Sequence, residues 1–399
     1  MFTEKQLERY ADVLIWALKT ARTGRMQKND IVAIRYHQPA IGLAEILFSK
    51  LLQMGIHPVP RSLPTPVMEK HFFEIANQCQ LTFTPPGDKE LHQNLNGSIY
   101  LYAPESITHL GTVDPGKIGK AAVAQKHLRD ILNRRDERGR FSWTLCMFPT
   151  RALARHARLS MKEYTRQIVN ACFLNRREPV AEWQHIYKKI NDIKKWLNSL
   201  KVAHYHIESD TIDLEISPGK NRKWLGLSGH NIPSFEVFLS PDWRHTRGKY
   251  FADQPSYRSG NYVRGVHLEF AEGSVIRVQA QKGENFVRQQ LKMDDGAGRL
   301  GEFSLTDKRF SRISSFMANT LFDENHGGRY GNCHVALGSS YTDSYSGKTA
   351  ALTSEMKKKL GFNDSALHWD LVNTEKKRVT AHLDSGRKVV IYENGRFAR

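Results

Sequence analysis

The chain has 399 residues, and its 59 lysines and arginines outnumber 41 aspartates and glutamates to give a formal charge of +18. A single hydrophobic core seldom grows beyond ~250–300 residues, so this length implies at least two domains. Ordinary hydrophobic (40%) and charged (25%) content excludes global disorder, and four scattered cysteines exclude a disulfide-built scaffold.

In chain order, Leu7, Tyr10, Ala11, Leu14, Ile15 and Leu18 fall at helical spacing and predict a first amphipathic helix. Residues 30–36 read as a strand, 41–54 as a helix stopped by Gly55, and 57–60 as a strand again. A helix over 67–76 and a strand over 98–103 continue the alternation, which predicts an open, mostly parallel sheet. A helical stretch over 181–200 closes this half. Beyond it, alternating segments at 204–208, 211–216, 263–270 and 275–280 predict a β-rich half with a few helices, one over 311–321. The expected organisation is an α/β first domain, residues 1–200, followed by a β-rich α+β domain, residues 201–399.

No run of ~18 apolar residues predicts a membrane span, and the N-terminal segment is not signal-like. Cys79, Cys146, Cys172 and Cys333 lack any Cys-x-x-Cys spacing, which suits free thiols and a cytoplasmic location. Residues 117–158 carry 11 bases and three acids, +8 within 42 positions. Arg134, Arg135, Arg138 and Arg140 are expected in a turn-like segment, and Arg151, Arg155 and Arg158 along one helical face. With only Phe141 and Trp143 to stack on bases, this stretch predicts solubility, a dimer surface or weak steering of acidic peptides and no specific nucleic-acid function. Residues 111–117 match G-x-x-x-x-G-K, but Ile118 stands where a phosphate loop needs Ser or Thr, and Pro115 removes a backbone donor.

The informative pattern lies in the second half. Glu236 and Glu302 each sit between bulky apolar residues in strand-like segments, and Asp323-Glu324-Asn325 leads into a glycine-rich loop. His334 follows in a strand pattern, and His368 and Asp370 stand two apart, which puts both on one face of a strand. Such groups are costly to bury unless paired or metal-bound. Four carboxylates would offset two divalent ions, and oxygen and imidazole donors without thiolate suit zinc, manganese, cobalt or iron. Cys333 is expected on the opposite face. These residues alone leave a peptidase, a phosphoesterase-like two-metal hydrolase or a nucleic-acid-binding module open.

Several ordered segments resemble the aminopeptidase T family, thermophilic-type two-metal aminopeptidases that include aminopeptidase S. They are Asn231-Ile232-Pro233-Ser234-Phe235-Glu236-Val237 with Ser240-Pro241-Asp242, Arg299-Leu300-Gly301-Glu302-Phe303-Ser304-Leu305, and Leu321-Phe322-Asp323-Glu324-Asn325. His334-Val335-Ala336-Leu337-Gly338 with Tyr341, His368-Trp369-Asp370 and Glu178-Pro179-Val180-Ala181-Glu182-Trp183 complete the set. The resemblance spans nearly the whole chain. It implies metal ligands at Glu236, Glu302, Glu324, His334, His368 and Asp370, and a catalytic role for Tyr341. It also implies two divalent ions per subunit, a homodimer, and peptide substrates with a free N-terminus. Glu302 is the expected shared carboxylate and proton carrier.

Overall fold

The computed structural model describes residues 2–399. Its strands in chain order begin with β1 (Ile31–Tyr36), β2 (His57–Ser62), β3 (Gly97–Tyr102) and β4 (Trp143–Met147). Then come β5 (Val202–Glu208), β6 (Asp213–Ile216), β7 (Leu225–Gly226), β8 (Asn231–Ile232) and β9 (Glu236–Leu239). β10 (Arg247–Ala252), β11 (Ser256–Arg258), β12 (Asn261–Ala271) and β13 (Ser274–Lys282) follow. The last are β14 (Leu300–Thr306), β15 (Asn332–Gly338), β16 (His368–Asn373), β17 (Arg378–Leu383), β18 (Lys388–Glu393) and β19 (Arg396–Phe397). The chain divides into two compact units, one running to Gln184 with Ser228–Ser234, the other comprising His185–Leu227 and Phe235–Arg399.

The first unit carries a sheet of order β2-β1-β3-β4-β8 in which every pairing is parallel. Its opening helix, Glu4–Thr20, starts with a Thr3–Gln6 capping box and buries Tyr10, Leu14 and Leu18 completely. The helix 41–53 and strands β1, β2 and β3 fall within a residue or two of their predicted bounds. β4 was hidden inside the basic stretch. The arginines depart from expectation: Arg134 and Arg135 lie on the helix Lys126–Glu137, not in a turn. Arg158 lies beyond the helix Arg151–His156 at φ +58°, so it does not share a helical face with Arg151 and Arg155.

The phosphate-loop lookalike has a structural use. Asp114 caps the helix Pro115–Ala124, and Lys117 Nζ donates to the carbonyls of Phe73, Glu74 and Ala76 at 2.9, 3.2 and 3.4 Å. The ammonium thus satisfies carbonyls at the C-terminal end of the helix Pro66–Ile75.

His230, just before β8, stacks on Trp143 at 4.5 Å, and its carbonyl accepts from Leu145 N. Burial lowers its pKa to about 4, below the ordinary value near 6.5. The folded unit therefore binds fewer protons than the unfolded chain between these values, and stability present above pH 6.5 is lost as pH falls towards 4. Between these values linkage predicts that about 2 kcal/mol is lost at pH 5. Denaturant unfolding from pH 7 to 4.5 would reveal a slope that His230→Gln flattens. An unchanged slope in the variant would rule His230 out as its source.

The second unit is built from two antiparallel sheets, one of order β11-β12-β10-β6-β5-β17-β18-β19 with β13 on β12, the other β16-β15-β14-β9-β7. An α/β unit is thus followed in sequence by a β-rich one. Tyrosines of the larger sheet tie down the smaller. Tyr250 Oη donates to Leu371 O at 2.7 Å and Tyr392 Oη to Thr306 O at 2.8 Å. Phe303, Leu305, Val335 and Leu371 fill the space between, each contributing about 1.5–3 kcal/mol by leaving water.

The helix expected over 311–321 is not formed there: only Thr320–Asp323 is helical. The Asp323 carboxylate accepts from Met317 N at 2.7 Å and Asn319 N at 2.9 Å, and Ala318 takes φ +51°. These local bonds fix a loop where apolar spacing alone suggested a helix.

Candidate metal centre

In the five-stranded sheet the pleat separates two sets of side chains. Phe303, Leu305, Val335, Leu337, Trp369 and Leu371 alternate with the acids and histidines and form the buried apolar face. The register aligns the other set: Thr306 opposes Glu236, Ser304 opposes His334, and Ala336 opposes both Glu302 and Asp370. Glu236, Glu302, His334, His368 and Asp370 therefore project from one face of four adjacent strands. Ala336 and Ser304, being small, leave room between them.

A bulge between Leu300 and Glu302 re-aims the glutamate. Gly301 occupies it because a Cβ there would lie 2.4 Å from the carbonyl oxygens of both Gly338 and Ser339. Glu324 reaches the same place from the end of the short helix Thr320–Asp323, while its neighbour Asp323 turns away to cap the loop. Cys333 lies on the opposite face, fully buried.

His334 Nε2 lies 3.1 Å from Glu302 Oε1, 3.4 Å from Glu236 Oε2 and 3.8 Å from Asp370 Oδ1. His368 Nε2 lies 3.3 Å from Asp370 Oδ1 and 3.9 Å from Glu302 Oε2, so the two oxygens of Glu302 face different imidazoles. In each of two groups, Glu236–Glu302–His334 and Glu324–His334–Asp370, one donor atom per residue lies within 4.8 Å of the others, and His334 belongs to both. His368 Nδ1–H donates to Ser339 O at 3.0 Å, which leaves Nε2 to face the cluster. Tyr341 packs its ring 4.8 Å from that of His368, and its N–H donates to Ser240 Oγ at 2.8 Å.

The charges here are poorly balanced. Among the described residues no lysine or arginine pairs with any of the four carboxylates. Burial, with the charges of Glu302 and Asp370 added and that of His334 opposing, pushes Glu236 up to about 7. Burial and then the charges of Glu236, Asp370 and Glu302 drive Glu324 well above the carboxylate range. Burial disfavours cationic His334 and His368, yet Glu302 and Asp370 respectively outweigh it and lift each to about 9. Asp370 is held near 2 because His368 and His334 overcome its burial. Although Tyr341 is 40% exposed as a residue, desolvation of its hydroxyl end and the adjacent carboxylates keep the phenol protonated.

These residues fit a metal. The donors are oxygen and imidazole, the excess charge is negative, and the opposing protonation shifts are what a multivalent cation would relieve. His334 Nδ1 is buried without a hydrogen-bond partner among the described residues, so Nε2 is the nitrogen that faces the carboxylates.

Sequence reasoning missed the supports. Ser304 Oγ donates to Glu236 Oε2 at 3.1 Å, a contact that only the cross-strand register reveals. Arg258 on β11 donates to His368 O at 2.9 Å and to Gln290 Oε1 at 3.2 Å; its field also lowers the Asp370 pKa. Asn325 holds the segment before Glu236 by accepting from Phe235 N.

A closed set of carboxylates and imidazoles on a sheet face is the donor arrangement of a metallohydrolase. Residues 3–397 match the model of the thermophilic metalloprotease family, M29, and the chain belongs to that family. It is similar to aminopeptidase T of Thermus thermophilus, 27% identical over 274 residues that cover 64% of this chain and 65% of that protein. To aminopeptidase T of Thermus aquaticus it is 28% identical over 302 residues, 71% of this chain and 72% of the relative. The chain thus aligns with just under two thirds of the first relative's length. The solved structure of wild-type AmpT from Thermus thermophilus shares the fold, with a TM-score of 0.82 and 22% identity over 99% of this chain and all of that one.

Proposed function

We propose that the protein is a metal-dependent aminopeptidase that removes N-terminal residues from peptides, with two divalent ions per chain held by Glu236, Glu302, Glu324, His334, His368 and Asp370. The observation that carries this reading is the cluster of four carboxylates and two imidazoles, in which the two oxygens of Glu302 face different histidines. A carboxylate whose two oxygens face different imidazoles suits two neighbouring ions. Zinc, cobalt and manganese all suit these donors. The names of the relatives support peptides as substrates, and the family resemblance supports a homodimer. The second unit is the catalytic one. The basic stretch of the first steers acidic peptides weakly and has no specific nucleic-acid role, and the four free thiols suit a cytoplasmic setting. No helix among the described residues is long and apolar enough to cross a membrane.

When bound, the ions supply Lewis acidity to a carbonyl oxygen and to water. Glu302, between the two imidazoles, takes the proton that water loses on attack and passes it to the departing amine. The Tyr341 hydroxyl donates to the carbonyl oxygen as negative charge grows there. Ser304, Ser339 and Arg258 hold Glu236 and His368 in place.

The test compares one short peptide in free and N-acetylated forms, with a phosphate ester alongside. The free peptide should shorten stepwise while the acetylated form and the ester persist. Chelation should abolish cleavage, and zinc, cobalt or manganese should restore it. Because Glu236 and Glu324 hold protons near neutrality without metal, ion uptake should release protons, and affinity should fall as pH drops. Full activity in excess chelator, or internal cleavage of the acetylated peptide, would overturn the reading.

A further inference from the structure

A second set of imidazoles lies on the outward face of the larger sheet, on strands that contribute nothing to the centre above. β5 and β17 pair so that His204 stands directly opposite His382. Their rings stack with centroids 4.2 Å apart and planes at 27°. His206, two residues along β5 on the same face, is 6.4 Å from the His382 ring. The alternate residues Tyr205 and Ile207 point into the core, so the histidines belong to the solvent side of the pleat.

We propose that His204 and His382 form a surface binding site for a borderline divalent transition ion such as nickel, copper or zinc. Two imidazoles side by side on paired strands place two nitrogen donors on one patch of the sheet surface. The stacked rings stand 4.2 Å apart, and bonds of ~2.0–2.1 Å to one ion require them to rotate out of the stack so that one nitrogen of each converges. Charges of both signs surround the pair, and the neutral form that ligates is favoured at His382 by its burial and by His204 and Lys388. His206 binds Asp213 at 2.7 Å and faces Glu208 at 3.5 Å, so this third ring is oriented by carboxylates at the edge of the pair. Glu215, opposite His206 on β6, is partly neutralised by Arg247 at 2.6 Å, and Lys388 opposite His382 is the opposing charge. Imidazole without thiolate selects nickel, copper and zinc over magnesium and calcium.

No function assigned to the catalytic centre requires this pair, and the two sites differ in kind. The outer one is open, has two protein donors, and leaves most coordination positions to water or to a ligand carried by the ion.

The test is a calorimetric titration of the metal-loaded protein with nickel, run in parallel on wild type and on His204→Ala/His382→Ala. Both side chains are partly exposed, so the double variant should fold, and its thermal melting curve checks this. Each single variant, His204→Gln and His382→Gln, provides a milder second test. Wild type should take up one more nickel ion per chain than the double variant, with each single change weakening that event at least tenfold. Peptide hydrolysis in the absence of added nickel should be the same in all four proteins. Equal nickel uptake by wild type and the double variant, or single variants that bind as tightly as wild type, would overturn the proposal. The comparison is a difference between proteins with the same centre, so it stands or falls apart from the aminopeptidase reading.

Discussion

Glu302→Gln should lower turnover at least ~10²–10⁴-fold, the span for removing a positioned proton carrier. The loss should be accompanied by weaker metal retention, because the substitution acts on both duties at once. Oε1 and Oε2 of Glu302 face His334 and His368, at 3.1 and 3.9 Å. An amide offers one acceptor and one donor where two acceptors stand, so one imidazole would meet an N–H. It also removes a unit of negative charge from a cluster whose excess attracts the cations. Steady-state kinetics and metal analysis of the same preparation check the prediction. A variant with wild-type turnover would remove Glu302 from the mechanism. Lost metal with turnover restored by excess ion would confine its role to binding.

Tyr341→Phe should show a different signature. The ring packs on His368 and lies 5.9 Å from Phe238, contacts that phenylalanine retains, and the backbone N–H bond to Ser240 is unaffected. Only the hydroxyl is lost. Removing one donor from a developing oxyanion typically costs ~10²–10³ in kcat. We therefore expect that loss in kcat with KM, metal content and melting temperature unchanged. A kcat within twofold of wild type would exclude the hydroxyl as a donor.

The first helix, β1, the helix 41–53, β2, the helix 66–75 and β3 were legible because strand and helix periods differ and glycine marks the stops, as with Gly55 after the helix 41–53. β4 was not, since its alternation lies in a segment dominated by arginines. The loop before Asp323 escaped for another reason. Its apolar spacing is helical, but a carboxylate accepting two backbone N–H groups offered the chain a competing set of bonds. In the centre, the acids and histidines stood out singly as polar residues in apolar strands. Which of them come together depends on register across β16, β15, β14 and β9, which no local window contains. The same limit hid Ser304 and Arg258, whose partners lie 68 and 110 residues away. The surface histidines were passed over because 17 such residues offer many accidental sets.

The bulge at Gly301 also bears on how such a chain tolerates change. In a pleated strand, adding or deleting one residue turns every following side chain over. An insertion within β14 after Glu302 would carry Ser304 into the apolar layer and Phe303 among the acids. The existing offset sits just before the first donor, where a glycine absorbs it and the alternation beyond is left intact. Insertions are therefore confined to the connections, such as the segments 307–319 and 339–366, which carry no strand. Tyr341 lies in the second of these. Lineages descending from such a chain are free to lengthen and reshape what surrounds the substrate, while the strands that carry the ionisable groups admit substitution but not a change of length.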